Sequence, residues 1–319
     1  MFNREYLEKN QVWFYLCSLL LAAAFGFVMP DYAGRLNAFI SIILAVLMYS
    51  MFSQIPFASM KEAFGDRAYM RALLLVNFIF VPIVVWGLAQ FLPDRPSVLL
   101  GFYLVLLTPC IDYVIVFTAL GKGDEKVVLT SMPLLFVVQM VLLPFYLWLF
   151  MGSDAVKVVD PVPFIEAFIG IIFVPLVLAL LVQVRARKKV SGKKVLSASA
   201  WLPVPFMALT LFAVVASQIV KLPTYIDDIL VVIPLYLIFM VAMPIIAKYV
   251  AAWFKLGTKR GRALLFSSST RNSLVVLPLA LTLPNIGDIV AAVIITQTMI
   301  ELVSELVYIR VVPKLLLRD

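Results

Sequence analysis

The sequence predicts an all-α polytopic membrane protein, with ten transmembrane helices arranged as a 5+5 inverted repeat in which helices 4 and 9 are broken and cross. Three observations carry that prediction: an extreme apolar composition, basic residues that alternate sides between apolar stretches, and a pair of polar interruptions in corresponding stretches of the two halves. Hydrophobic residues make up 64% of the chain and charged residues 14%, and the mean hydropathy is +1.06, far outside the range of soluble domains.

About 20 apolar residues cross roughly 30 Å of hydrocarbon, and ten such stretches can be read: Val12 to Met29, Leu36 to Ile55, Ala72 to Leu92, Val98 to Leu120, Val127 to Met151, Phe164 to Val184, Ala200 to Val220, Ile229 to Ala247, Ala263 to Leu283 and Ile289 to Val312. The first follows Arg4 and Lys9 as a signal peptide would, but it is long and ends without a small-x-small cleavage site, so it reads as a mature helix. Gln54-Ile55-Pro56 closes the second, its proline acting as a terminator.

Loop charge sets the orientation. Of 26 lysines and arginines, Arg271 lies inside an apolar stretch. Only Arg35, Arg95, Lys157 and Lys221 fall on one side of the predicted membrane; all the others fall on the side that holds both termini. By the positive-inside rule that side is the cytoplasm of a multi-pass plasma-membrane protein. The same bias accounts for the net charge of +8 without nucleic acid. The polar linker 152–163 separates a first repeat (1–151) from a second (164–319), and a five-helix repeat must be inverted.

Within the fourth stretch, Thr108-Pro109-Cys110-Ile111-Asp112 sets a proline, a thiol and a carboxylate in apolar surroundings. Pro109 removes a backbone donor and clashes with the preceding turn. Such a break is tolerated in a membrane only where it is buried in protein or lines a wet cavity, and Asp112 costs about 2.5–3.5 kcal/mol at that depth. The ninth stretch breaks at Ser267-Ser268-Ser269-Thr270-Arg271-Asn272-Ser273. Paired broken helices point to a carrier's binding site near the midplane. Crossed antiparallel halves bring two partly positive N-termini and two partly negative C-termini together. Asp112 is expected near the former and Arg271 near the latter, either as part of a transport site or as a packing ion pair.

Thr108, Pro109, Cys110, Thr270, Arg271 and Asn272 are therefore the candidate substrate-binding residues. Cys110 is either a soft ligand for a thiophilic solute or a small apolar filler; Cys17, with no polar neighbour but Ser18, reads as packing. In the tenth stretch Gln297, Thr298, Glu301, Ser304 and Glu305 share one helical face. Asp112, Glu301, Glu305, Gln297, Thr130 and Ser131 are the candidate ion-coupling residues, with Glu301 nearest the centre of its span. Glu305 reads equally as an interfacial group. Asn77, Gln139, Thr130 and Ser131 either line the same cavity or tie helices together. No histidine is present, which excludes the usual proton shuttle and any zinc site. No HExxH, nucleophile elbow or phosphate-binding loop occurs, so no enzyme, metal or cofactor is expected beyond a coupling proton or sodium ion.

Cys110 followed by Val114, Val116, Leu120, Gly121 and Asp124, the string Thr270-Arg271-Asn272, and Ile300-Glu301 resemble the arsenical-resistance arsenite carriers within the bile acid/sodium symporter superfamily, over Leu7 to Pro313. The resemblance implies a core of helices 3–5 and 8–10 rocking against a panel of helices 1, 2, 6 and 7. It also implies extrusion of arsenite or antimonite by proton exchange, with Cys110 required. Such carriers have an acid three to four positions after the Arg-Asn pair, where this chain has Ser273-Leu274-Val275-Val276, and a small or neutral residue where it has Asp112. The expectation is proton-coupled efflux of arsenite or a related small anion by alternating access. The alternatives are a sodium- or proton-coupled organic-anion symporter, with Asn272, Thr130 and Ser131 near the ion, and a passive channel or sensor. The implied partners are a small-molecule or anionic substrate and the lipid bilayer; a homodimer is left open.

Overall fold

Prolines, acidic caps and polar breaks punctuate this chain, and the helices in the computed structural model begin and end at them. The structure describes residues 4–55, 57, 65–111, 113–152, 166, 168–219, 224–281, 283 and 285–318. Asp112, Lys61, Lys157, Lys221 and nearly all of the 152–163 linker lie outside them. Among the described residues the regular elements are all helical: α1 (Arg4–Val28), α2 (Pro30–Arg35), α3 (Asn37–Gln54), α4 (Arg67–Ala89), α5 (Pro96–Leu106), α6 (Val114–Leu120), α7 (Glu125–Met151), α8 (Ile169–Lys188), α9 (Val190–Ser199), α10 (Pro203–Gln218), α11 (Ile226–Trp253), α12 (Thr258–Ser269), α13 (Ser273–Leu281) and α14 (Gly287–Leu316). Of these, α4, α7, α8, α9 with α10, α11 and α14 make six described segments long and apolar enough to cross a membrane. Trp13–Val28, Ala38–Gln54 and Pro96–Leu106 are shorter apolar helices.

The starts have local causes. Pro30, Pro96 and Pro203 occupy first-turn positions, where the missing N–H is one that no helix uses. Asp124 caps α7 by accepting from the backbone N–H groups of Lys126 at 3.2 Å and Val127 at 3.4 Å. Asp66 caps α4 through the N–H of Tyr69 at 3.1 Å and pairs with Arg260 at 2.9 Å. Unpaired N–H groups at a helix start favour such acceptors.

The chain forms two compact units, each drawn from both halves of the sequence. One comprises Met1–Ile55, Pro161–Ile226 and Leu281–Leu283; the other comprises Pro56–Asp160, Asp227–Ala280 and Pro284–Asp319. In the first, α1 packs along α10, where Ser18 donates to the Ala208 carbonyl and Phe25 meets Phe212 with ring centroids 5.5 Å apart. A Cβ on Gly26 would lie 2.6 Å from the Ala216 carbonyl oxygen, so only glycine lets these backbones approach so closely. Gln183 of α8 donates to the carbonyls of Phe52 at 3.0 Å and Ile55 at 2.9 Å. Both lie at the end of α3, where the last carbonyls lack i+4 partners; the Phe52 carbonyl also accepts from the Ile55 N–H at 3.3 Å.

In the second unit α14 runs beside α5, close enough that a Cβ on Gly101 would sit 3.0 Å from Val293. Tyr236 of α11 donates to the Val293 carbonyl at 3.1 Å, and Tyr146 of α7 donates to the Phe78 carbonyl of α4. Arg95 and Asp228 pair at the start of α5 and α11. Large apolar side chains such as Leu20, Phe27, Val141, Trp148 and Val241 stay exposed, as they should where the solvent is lipid.

Two readings change. Arg262, counted among the loop charges, is buried in α12, with Nε and Nη2 on the Leu317 carbonyl at 3.0 and 2.7 Å and Nη1 on the Lys122 carbonyl at 3.2 Å. Its donors satisfy carbonyls that lie just past the ends of two helices, α6 and α14, a role that composition does not reveal. Cys17 is exposed on α1 rather than packed.

Candidate functional site

At Leu107 the chain leaves α5, because Pro109 has no N–H to continue the ladder. At Thr270 it leaves α12 in an extended conformation. The two interruptions then join. The Cys110 N–H donates to the Thr270 carbonyl at 3.1 Å and the Asn272 N–H donates to the Thr108 carbonyl at 2.8 Å, so that Pro109 and Arg271 face each other in an isolated antiparallel bridge. Each break thus satisfies backbone groups that the other exposes, as a low-dielectric setting demands.

Like helix ends meet there. Arg271 is fully buried and lies among the C-terminal carbonyls. Nη2 donates to Ser267 O at 3.1 Å and Ser268 O at 2.5 Å in the last turn of α12, while Nη1 reaches Leu106 O, the last residue of α5, at 3.4 Å. Asn77 Oδ1 of α4 accepts from Nη2 at 2.9 Å, and the guanidinium carbon stands 5.7 Å from the centre of the Phe239 ring. One cation thereby neutralises two negative helix ends, where the crossing of like ends led us to expect it.

The other side of the crossing belongs to Glu301. Its carboxylate accepts from the Arg271 backbone N–H at 2.8 Å, from the Tyr113 hydroxyl at 2.6 Å and from Gln297 Nε2 at 2.5 Å. Tyr113 directly precedes α6 and Arg271 lies two residues before α13, so Glu301 sits where the second halves begin. Asp112, expected near these ends, is outside the described residues. One turn along α14, Glu305 is also fully buried and its Oε1 lies 2.8 Å from Thr270 Oγ1. Of the face that the spacing predicts, Gln297, Thr298, Glu301 and Glu305 are buried, whereas Ser304 is only half-buried and its hydroxyl donates to the Ile300 carbonyl at 2.8 Å.

The comparisons with known proteins can be set against this geometry. Residues 41–224, more than half of the chain, match the sodium bile acid symporter family. The chain belongs to that family. The matched stretch contains the Cys110 break. A second likeness is to the arsenical-resistance protein Acr3 of Corynebacterium glutamicum, 28% identical over 121 residues, which are 34% of this chain and 33% of that protein. The chain thus matches about a third of the length of that relative.

In this member of the symporter family, Thr108, Pro109, Cys110, Thr270, Arg271 and Asn272 converge on the bridge, with Glu301, Gln297 and Glu305 behind it. Asn272 Oδ1 accepts from the Val275 N–H at 3.3 Å, which caps α13. The Cys110 thiol is fully buried. Thr130 and Ser131 are not brought into these contacts by the hydrogen bonds they make: their hydroxyls donate to carbonyls one turn back in α7, at Lys126, Val127 and Val128. Sequence reasoning missed Tyr113, whose hydroxyl touches the central carboxylate. Its one signal was its place directly before the resumed helix. Asn77 was read only as a possible cavity or packing residue, whereas it accepts from Arg271.

Proposed function

We propose that this chain is a secondary active transporter that expels arsenite, or a related small anion, in exchange for protons by alternating access. The joining of the two breaks is the observation that carries the reading. It gathers a thiol, a locked guanidinium and a multiply hydrogen-bonded carboxylate at one place in the middle of apolar helices, where a solute and a proton can be handled together. Family membership and the partial likeness to an arsenical-resistance protein support the same class.

In this reading ten spans form two inverted five-helix repeats, 1–151 and 164–319, with both termini in the cytoplasm of a plasma-membrane protein. The six long apolar segments, the three shorter ones and the matched pair of breaks support that plan. The two units, each built from both halves, support a core of helices 3–5 and 8–10 and a panel of helices 1, 2, 6 and 7. Cys110 acts as the soft ligand for a thiophilic solute, and Arg271 with the α5 and α12 ends sets the local field. Glu301 is the carboxylate that exchanges the proton, and Asp112 lies close enough in sequence to Cys110 to join it. No metal, cofactor or nucleic acid is required.

Everted membrane vesicles carrying the wild type or Cys110→Ser test this reading. Arsenite uptake that needs a proton gradient and is lost with the thiol is the expected result. Equal flux in Cys110→Ser would move the substrate to an organic anion, and dependence on a sodium gradient would replace the coupling ion.

A further inference from the structure

Two carboxyls one helical turn apart, both fully buried, cannot both be ionised without severe mutual repulsion. Their hydrogen-bond partners distinguish them. Glu301 meets three donors: the Arg271 N–H at 2.8 Å, the Tyr113 O–H at 2.6 Å and the Gln297 amide at 2.5 Å. The Tyr113 hydroxyl also stands 3.3 Å from the Arg271 carbonyl, but that contact is much the longer of its two, and the Arg271 N–H can only donate. That is the environment of a carboxylate, which only accepts. Glu305 meets a single hydroxyl, Thr270 Oγ1, at 2.8 Å, and its Oε2 has no partner among the described residues.

That hydroxyl has one proton and two neighbours. Thr270 Oγ1 is also 2.7 Å from the Phe266 carbonyl, a group that can only accept. Both contacts are hydrogen bonds only if Thr270 donates to Phe266 and accepts from Glu305. An ionised Glu305 would instead compete with the carbonyl for a single proton and would stand in a fully buried place with at most one donor.

The surroundings give the same charge balance. Among the described residues, which do not include Asp112, the groups that face the pair are Arg271, with Cys110 and Tyr113 beside it, and Tyr308, one turn further along α14, whose hydroxyl donates to the Met240 carbonyl. Arg262 lies in the first half of α12, seven residues or roughly 10 Å of helix axis before that helix ends at Ser269, and its donors are directed at the Leu317 and Lys122 carbonyls. Among the described residues one buried cation, Arg271, stands next to the pair and balances one carboxylate. We propose that Glu305 holds a proton in this state while Glu301 is ionised, so that the pair carries one exchangeable proton and Glu305 is its resting site. The assignment of that proton to transport rests on the coupling role proposed for Glu301.

Infrared spectroscopy of the purified protein in lipid at neutral pH tests the assignment without any transport assay. Wild type minus Glu305→Gln is expected to show the carbonyl stretch of a buried, protonated carboxyl group, shifted in heavy water. The glutamine can donate to Thr270 as the acid does, so the variant is expected to fold. No such band in the wild type, or a band that persists unchanged in Glu305→Gln, overturns the proposal. A second readout addresses coupling: Glu305→Gln is expected to lose proton-driven accumulation, and accumulation equal to the wild type in that variant would overturn the assignment of this proton to transport. If the wild type carries no arsenite at all, the transport reading fails while the infrared result still decides where the proton sits.

Discussion

Replacing Arg271 by methionine keeps the apolar stem and removes every guanidinium donor from the crossing. The acceptors left behind are Ser267 O, Ser268 O, Leu106 O and Asn77 Oδ1, all buried in this arrangement. The Leu106 contact at 3.4 Å is long and contributes little. The others lose hydrogen bonds to a charged group, for which the typical net contribution is about 1.5–3 kcal/mol each. These losses are not additive, because the three share one nitrogen. Glu301 is also left without its counter-charge, and removing one member of a buried charged set typically costs about 3–5 kcal/mol. Taking that range for the whole change, the melting temperature of the detergent-purified protein should fall by on the order of 10 °C. Thermal unfolding followed by size-exclusion chromatography is the assay. Arg271→Lys should recover part of the loss, since an ammonium supplies donors but not the planar fork. A methionine variant as stable as the wild type would refute the claim that this guanidinium holds the two C-terminal ends together.

Glu301→Gln keeps one accepting oxygen but leaves Arg271 without its counter-charge, so it should cost about 3–5 kcal/mol and abolish proton-driven transport, read as flux per folded protein on chromatography. Gly26→Leu should destabilise the pairing of α1 with α10, since even a Cβ would lie 2.6 Å from the Ala216 carbonyl oxygen; a clear loss of folded yield on chromatography is the expected readout. Arg262→Met should release the chain end at Leu317, measured as faster proteolysis or hydrogen exchange at residues 312–318, at a cost of about 2–4 kcal/mol. Cys110→Ser puts a hydroxyl in a fully buried place and should cost about 1–3 kcal/mol, so arsenite flux in that variant is read per folded protein on chromatography.

The breaks were legible because proline and a run of hydroxyl residues are conspicuous against 64% hydrophobic residues. From the breaks, the opposition of like helix ends and the place of Arg271 followed by electrostatics alone. The face of Gln297, Glu301 and Glu305 was legible from helical period. Hydrogen-bond identity was not. That Glu301 would be held by a backbone N–H and by Tyr113, rather than by the guanidinium, depends on the extended bridge between residues 109 and 271, which no periodicity encodes. Asn77 and Arg262 escaped for the same reason: a polar residue on an apolar helix and a basic residue at a helix start each have several uses, and only tertiary neighbours select among them. Gly26 and Gly101 were likewise silent, since close backbone approach shows only when the helices are packed.

Accumulation of arsenite in proteoliposomes that contain the purified protein, driven by a proton gradient alone, tests the central claim most directly. The account predicts accumulation above the external concentration, collapse when a protonophore is added, and no accumulation with Glu301→Gln. Flux that merely equilibrates arsenite across the membrane, or accumulation that follows a sodium gradient and ignores the proton gradient, would contradict it.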